Sequence, residues 1–234
     1  MDPWVGGDAG VNRVPAFEVT DRAVIADLIR DLAFAQVVTR NGDDFVASSV
    51  PLLLDGPDDG PWVLRGHFAR SNPQATMADG TIPALALFVG PHAYVSPSAY
   101  PTKSATGKVV PTWNYVEVHV HGRLRLTDDA GSTLDVVTDL TDVHESDRAE
   151  PWRVSDAPDG YVDGLLRGIV GFELTVDRVE AKAKLSQNKT EADRQGVIGN
   201  LSDRPRGGPE VARIMRSGEF GVGKTPPRAR RHLE

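Results

Sequence analysis

The chain has 234 residues, 40% of them hydrophobic and 25% charged, which suits a globular protein with a sizeable core. Its net charge of −7 argues against a general nucleic-acid coat, and the absence of cysteine excludes disulfides, thiolate catalysis, zinc–sulfur sites and iron–sulfur clusters. No run approaches the ~20 apolar residues that span a bilayer. Residues 1–7 lack the basic and apolar regions of a secretory signal, so a cytoplasmic protein is expected.

Residues 1–13, rich in Gly and Asp, read as a flexible arm ahead of a domain over 14–201. Thr20 offers an N-cap to a helix over 21–32, with Val24, Ile25, Leu28, Ile29 and Leu32 on one side. Residues 33–40 and 45–54 read as strands joined through Asn41-Gly42-Asp43, a hairpin signal. A Gly- and Pro-rich turn over 55–61 leads to a third strand at 62–67. Residues 83–90 are mostly apolar, as in a strand buried on both faces, and 93–96 read as a short strand ending at Pro97. Residues 101–111, with Lys103, Gly107 and Lys108, read as a mobile loop.

The next strand organises the chain. Val116, Val118, Val120, Leu124 and Leu126 alternate with Glu117, His119, His121, Arg123 and Arg125, the period-two pattern of a strand with one face in a core. Ahead of it, Trp113-Asn114-Tyr115 offers flat rings and an amide to a planar ligand. Helices are expected over 132–145 and 159–167, and a last long strand over 169–184. Thr190 caps a helix over 191–201, with Asp193 as a capping-box-like partner. Residues 202–234 turn to Arg, Gly and Pro and read as a disordered tail. The whole predicts a mainly β protein, a closed barrel with helices packed outside.

Several local signals carry chemistry. Arg65, His67, Arg70, Ser71 and Asn72 crowd the end of the third strand and could hold a phosphate or carboxylate. A neutral His67 could also ligate a metal or haem iron, and the bland reading is a solvated strand end. His119 and His121 share a strand face, but spacing offers no third ligand, so an interface is expected there and no metal. Lys182-Ala183-Lys184, followed by Gln187, Asn188 and Lys189 before a helix cap, suits an anion or, more simply, a protected edge strand. Gly218–Thr225 matches a Walker A pattern letter for letter. Pro226-Pro227 follows at once and leaves no helix, so no nucleotide-binding loop is expected. Residues 226–231 form a short basic run, expected to be solvated. No Ser/His/Asp elbow or spaced acid pair appears, so any catalysis falls to a bound cofactor.

These segments together resemble the PaiB-type FMN-binding negative transcriptional regulators. The resemblance rests on residues 64–72, 90–100, 110–122, Glu150-Pro151-Trp152, and 184–189 with Asp193-Arg194. It implies a flavin-reductase-like split β-barrel, a homodimer with cofactor sites at the subunit interface, and FMN held by its phosphate with its ring against strand residues. Carried onto this chain, it assigns Arg65, His67, Arg70, Ser71 and Asn72 to the anionic end. Trp113, Asn114 and Tyr115 would meet the ring, and Lys184, Gln187 and Lys189 would arrive from the last strand. The same family resembles haem-dependent piperazate synthases, which close an N–N bond in N-hydroxyornithine. That alternative would make haem b the cofactor and His67 the axial ligand and catalytic residue, with Tyr94 or His119 near the opposite face. No helix-turn-helix is evident, so direct DNA binding is not expected. Two positions depart from the family: Ala99 stands where a Trp is usual, which should open space nearby, and Asn12-Arg13-Val14-Pro15 replaces Met-Tyr-x-Pro.

Overall fold

The computed structural model of the protein describes residues 14–57, 59–76, 80–127, 129–218 and 220. Its elements in chain order are β1 (Glu18–Val19), α1 (Arg22–Leu32), β2 (Phe34–Asn41), β3 (Asp44–Pro51), β4 (Leu53–Asp55), β5 (Val63–Ala69) and β6 (Thr81–Val95). They continue with α2 (Thr102–Thr106), β7 (Thr112–Thr127), α3 (Ala130–Glu145), α4 (Tyr161–Leu166), β8 (Ile169–Lys184), α5 (Glu191–Ser202) and α6 (Gly208–Ser217). The strands are hydrogen-bonded in the order β3-β2-β6-β7-β8-β5-β4, with β1 added on β8. The chain groups into two compact units. One takes in Thr20–Val89 and Val118–Glu180, the other 14–19, Gly90–Glu117 and the chain from Ala181 onward. Among the described residues, no helix is long and apolar enough to cross a membrane.

In the first unit, α1 starts one residue later than the sequence suggests. Asp21, not Thr20, accepts from the amides of Ala23 and Val24, and the helix buries Ile25, Ala26, Leu28 and Ile29. The Asn41-Gly42-Asp43 hairpin forms as expected. β2 and β3 pair from Phe34↔Pro51 to Asn41↔Asp44, and Gly42 takes φ 62° at the turn. Leu64, Gly66 and Phe68 of β5 face Leu174, Phe172 and Val170 of β8, and the Phe68 and Phe172 rings stack at 4.4 Å. β6 corrects two expectations at once. Ala84, Ala86 and Phe88 are buried while Leu85 and Leu87 are half-exposed and Val89 is exposed, so the strand has one core face rather than two. It also runs unbroken through Pro91, which lies beyond the last residue paired with β2 and breaks no bond of that ladder.

In the second unit, α5 begins at the expected cap, where the Thr190 hydroxyl accepts from the Asp193 amide. Asp193 does not complete a capping box. Its carboxylate accepts instead from the Thr102 amide at 3.0 Å and the Thr102 hydroxyl at 2.7 Å, and these bonds hold it below the usual carboxylate range. The segment expected to be a mobile loop is thereby tied down, and α2 forms within it, closed by Gly107 at φ 66°. Within the expected disordered tail, the described part is largely helical instead. α6 occupies 208–217 and buries Val211, Ala212, Ile214 and Met215, one side of a helix that opens on Pro209. The flexible-arm expectation for 1–13 and most of the Walker-like and basic runs lie outside the described residues.

Candidate functional site

The organising strand behaves as its pattern dictates. Val116, Val118, Val120 and Leu124 are buried, while Glu117, His119 and His121 are half-exposed and Arg123 and Arg125 exposed. The same alternation separates a trio that the sequence groups together. Trp113 and Tyr115 share the outer face, but Asn114 points the other way and is fully buried. Its amide donates to the Ser186 hydroxyl at 3.0 Å and approaches the Met215 sulfur at 3.4 Å, so it clamps the second unit rather than lining an open surface.

The β5 cluster in the first unit is largely engaged with the chain itself. Arg65 donates through Nε to Asp55, and through Nη2 to Asp139 of α3 at 2.8 Å. The Asp55 hydrogen bond is the main reason its guanidinium is held even more firmly protonated than usual. Arg70 donates to the carbonyls of Arg167 and Ile169, at 3.2 and 3.0 Å. Asn72 donates to the Ser48 hydroxyl at 2.7 Å and accepts from the Gln74 amide at 2.9 Å, while Ser71 is exposed. His67 lies two residues from Arg65, on the side of β5 that faces α3. Its strand partner is Gly171, whose own amide donates to Thr133 of α3. Burial pushes the His67 imidazole below its ordinary value, and its Nδ1 has no hydrogen-bond partner among the described residues.

The second unit assembles rings and cations. Tyr94 and Trp113, both exposed, meet edge to face at 5.9 Å, and His92 stands 6.2 Å from Trp113. The Lys182 ammonium lies 5.4 Å from the Tyr115 ring centre, and that of Lys189 5.5 Å from Tyr100. Lys184 donates to the Thr112 hydroxyl, immediately before Trp113. Burial pulls the Lys184 ammonium below the ordinary lysine value, and repulsion from Lys182 and Lys189 pulls it further. Gln187 folds back on the chain, accepting from the Leu185 amide at 2.7 Å and donating to the Ala183 carbonyl. Ser186, at φ 65°, makes that turn. Ala99 is buried, and its carbonyl lies so near Gly196 that a Cβ there would stand 2.2 Å away, so this position is a packed contact with α5 rather than open space.

Sequence reasoning missed Thr112 and His92 as members of this group, and Lys182 entered only as part of the anion-suited stretch. The signal for Lys182 was present: it stands two residues before Lys184 on one strand and therefore on the same face. His119 lies elsewhere, in the first unit, beside His121 and Glu180.

The family model described as "Putative FMN-binding domain" matches residues 13–178. A curated protein of Bacillus subtilis strain 168, "Protease synthase and sporulation protein PAI 2", is 33% identical over 187 residues, covering 80% of this chain and 87% of its own. An uncharacterized protein of Emericella nidulans is 38% identical over 190 residues, 67% of this chain and 75% of that one. Two solved structures share the fold. The FAD and heme binding protein from Mycobacterium smegmatis has TM-score 0.51 and 14% identity, covering 71% of this chain and 73% of that one. The flavocytochrome Anf3 from Azotobacter vinelandii has TM-score 0.51 and 12% identity, with 77% and 76% covered. The architecture is a split β-barrel of the flavin-reductase-like kind, as expected.

Proposed function

Since this chain belongs to the FMN-binding domain family and is a PaiB-like protein, we propose that it binds FMN through the rings and lysines of its second unit. One observation carries the reading. The lysine-bearing end of β8 lies against the aromatic start of β7, so that Lys182 meets Tyr115 and Lys184 meets Thr112. A dianionic phosphate relieves the mutual repulsion of Lys182, Lys184 and Lys189, and each charge-assisted hydrogen bond to it is strong. Trp113 and Tyr94 offer exposed faces to the isoalloxazine. The donor set fits the group: cations for the phosphate, flat rings for the flavin. When bound, the flavin supplies one- and two-electron redox chemistry.

On this reading the β5 cluster does less than its composition suggests. Arg65 and Arg70 hold α3 and the 167–169 backbone, and His67 faces α3, so neither the phosphate role nor the haem-ligand role draws support from their placement. We assign the activity to flavin-dependent oxidoreduction. A regulatory effect of the kind that the family resemblance implies would then follow from the flavin-bound protein acting on a partner, not from direct reading of DNA by a chain of net charge −7. A second copy of the chain is proposed as the partner in the assembly. Its support is the exposure of Phe34, Phe45 and Val89 on the first unit.

The test is an equilibrium titration of the full chain with FMN, followed by flavin fluorescence. Saturable binding at one flavin per chain is expected, with riboflavin, which lacks the phosphate, about tenfold weaker or more. Lys184→Met should weaken FMN by about ten- to a hundredfold with little effect on riboflavin. Arg65→Met should leave FMN affinity unchanged. Absence of FMN binding would overturn the proposal, and so would a Lys184→Met protein that binds FMN as the wild type does.

A further inference from the structure

Two imidazoles and a carboxylate converge in the first unit. His119 and His121 stand two residues apart on β7 and therefore share a face. Glu180 reaches them from β8, the neighbouring strand in the sheet. One donor atom from each residue lies within 4.8 Å of the other two. Glu180 is only 7% exposed. Among the described residues, the His121 Nε2 is buried without a hydrogen bond, 3.6 Å from Glu180 Oε2.

We propose that His119, His121 and Glu180 form a binding site for a divalent first-row transition ion. Two neutral nitrogens and one carboxylate oxygen are the donors that zinc takes in sites of three protein ligands, where the fourth position is left to water or substrate. Iron(II) and manganese(II) accept the same set in octahedral form. The inference does not depend on flavin binding, which involves other residues.

Arg178 sets the condition for loading. It donates to Glu180 Oε1, and its Nη2 lies 3.1 Å from His121 Nδ1. A guanidinium has only donors, so Nδ1 accepts and the single proton of the neutral ring sits on Nε2. An ion bound at Nε2 requires that proton on Nδ1 instead, and Arg178 must then leave that nitrogen. The ring gains and loses one proton, so loading needs no net protonation of His121. Arg178 and the ion therefore compete for His121, while the carboxylate that balances either of them stays in place.

The experiment is a titration of the full chain with Zn2+ by calorimetry and with Co2+ by visible absorption, in the presence and absence of FMN. One tight ion per chain is expected, with the visible bands of a low-coordinate cobalt centre. His119→Ala and Glu180→Gln should each weaken binding by at least about tenfold. Arg178→Gln should bind the ion more tightly than the wild type, and His144→Ala, on exposed α3 surface, should match it. Absence of saturable binding, or His119→Ala with wild-type affinity and spectrum, would overturn the site. Should Glu180→Gln fail to fold, His119→Ala and Arg178→Gln decide between them, because a merely adventitious ion would be indifferent to both.

Discussion

Gly122 and Gly199 show how differently two glycines answer the same substitution. A Cβ at Gly122 would stand 2.1 Å from the Thr175 carbonyl and 2.5 Å from Leu174, in the body of the sheet where backbone cannot give way. Gly122→Ala is expected to destabilise by about 3 kcal/mol or more, as overpacking does when it strikes main chain. Gly199 lies inside α5 with nothing within 4 Å, so Gly199→Ala should stabilise by about 0.5–1 kcal/mol through helix propensity. Urea unfolding of the two variants checks both signs. His67 makes a prediction about pH. Its imidazole is depressed in the folded protein, so the unfolded chain binds the extra proton more readily. Stability is therefore fully present above the ordinary histidine value of about 6.5 and is lost as pH falls through the folded value. His67→Leu should flatten part of that acid loss, and His121, also depressed, accounts for a further part. Thermal melts between neutral and acid pH would show it; identical profiles for wild type and variant would dismiss the idea. The sequence shows where these residues stand, but not that a carbonyl on β8 comes so near Gly122, or that His67 faces a helix, because both depend on strands and helices distant in the chain.

At the level of elements, the period-two strands and the hairpin were readable, since alternation and Asn-Gly-Asp are local signals with local causes. β8 was read to the residue, and α5 with its Thr190 cap nearly so. α2 and α6 were not. α2 depends on the carboxylate of Asp193, ninety-one residues from Thr102. α6 hides its Val211, Ile214 and Met215 among arginines, glycines and prolines, a composition that alone suggests a solvated tail. Yet Met215 is 1% exposed, and Arg194 of α5 donates to its carbonyl at 2.9 Å. Met215→Ala should cost about 2–5 kcal/mol, the range for emptying a buried methionine position, where a disordered tail would show no effect. Chemical denaturation with circular dichroism measures it. The candidate site followed the same division. Lys184, Lys189, Trp113 and Tyr115 were named in the sequence, but Asn114 was placed with the rings because neighbours in sequence look like neighbours in space. Glu180 was missed beside His119 and His121 because strand adjacency is not written in the spacing of either strand.

For the whole molecule, the outward faces of β2, β3 and β6 carry the argument for assembly. Phe34, Phe45 and Val89 are 55%, 76% and 56% exposed in the single chain. Gln36 and Leu87 pair directly, and Phe34 and Val89 each lie two residues further along, on that same face. Sedimentation equilibrium should give twice the chain mass, and Phe34→Lys combined with Val89→Lys should give a folded single chain. A wild-type protein that sediments as one chain would defeat this expectation. β7 imposes a last constraint, which concerns insertions and deletions rather than substitutions. Its inner residues hold the core while its outer residues present Trp113, Tyr115, His119 and His121, and parity alone decides which is which. Removing one residue between Tyr115 and Val118 would exchange the roles of everything on one side of the cut, sending valines outward and imidazoles inward. Removing two would shorten the strand but leave its faces intact. In this strand, evolution and the protein engineer alike can change length only by even steps.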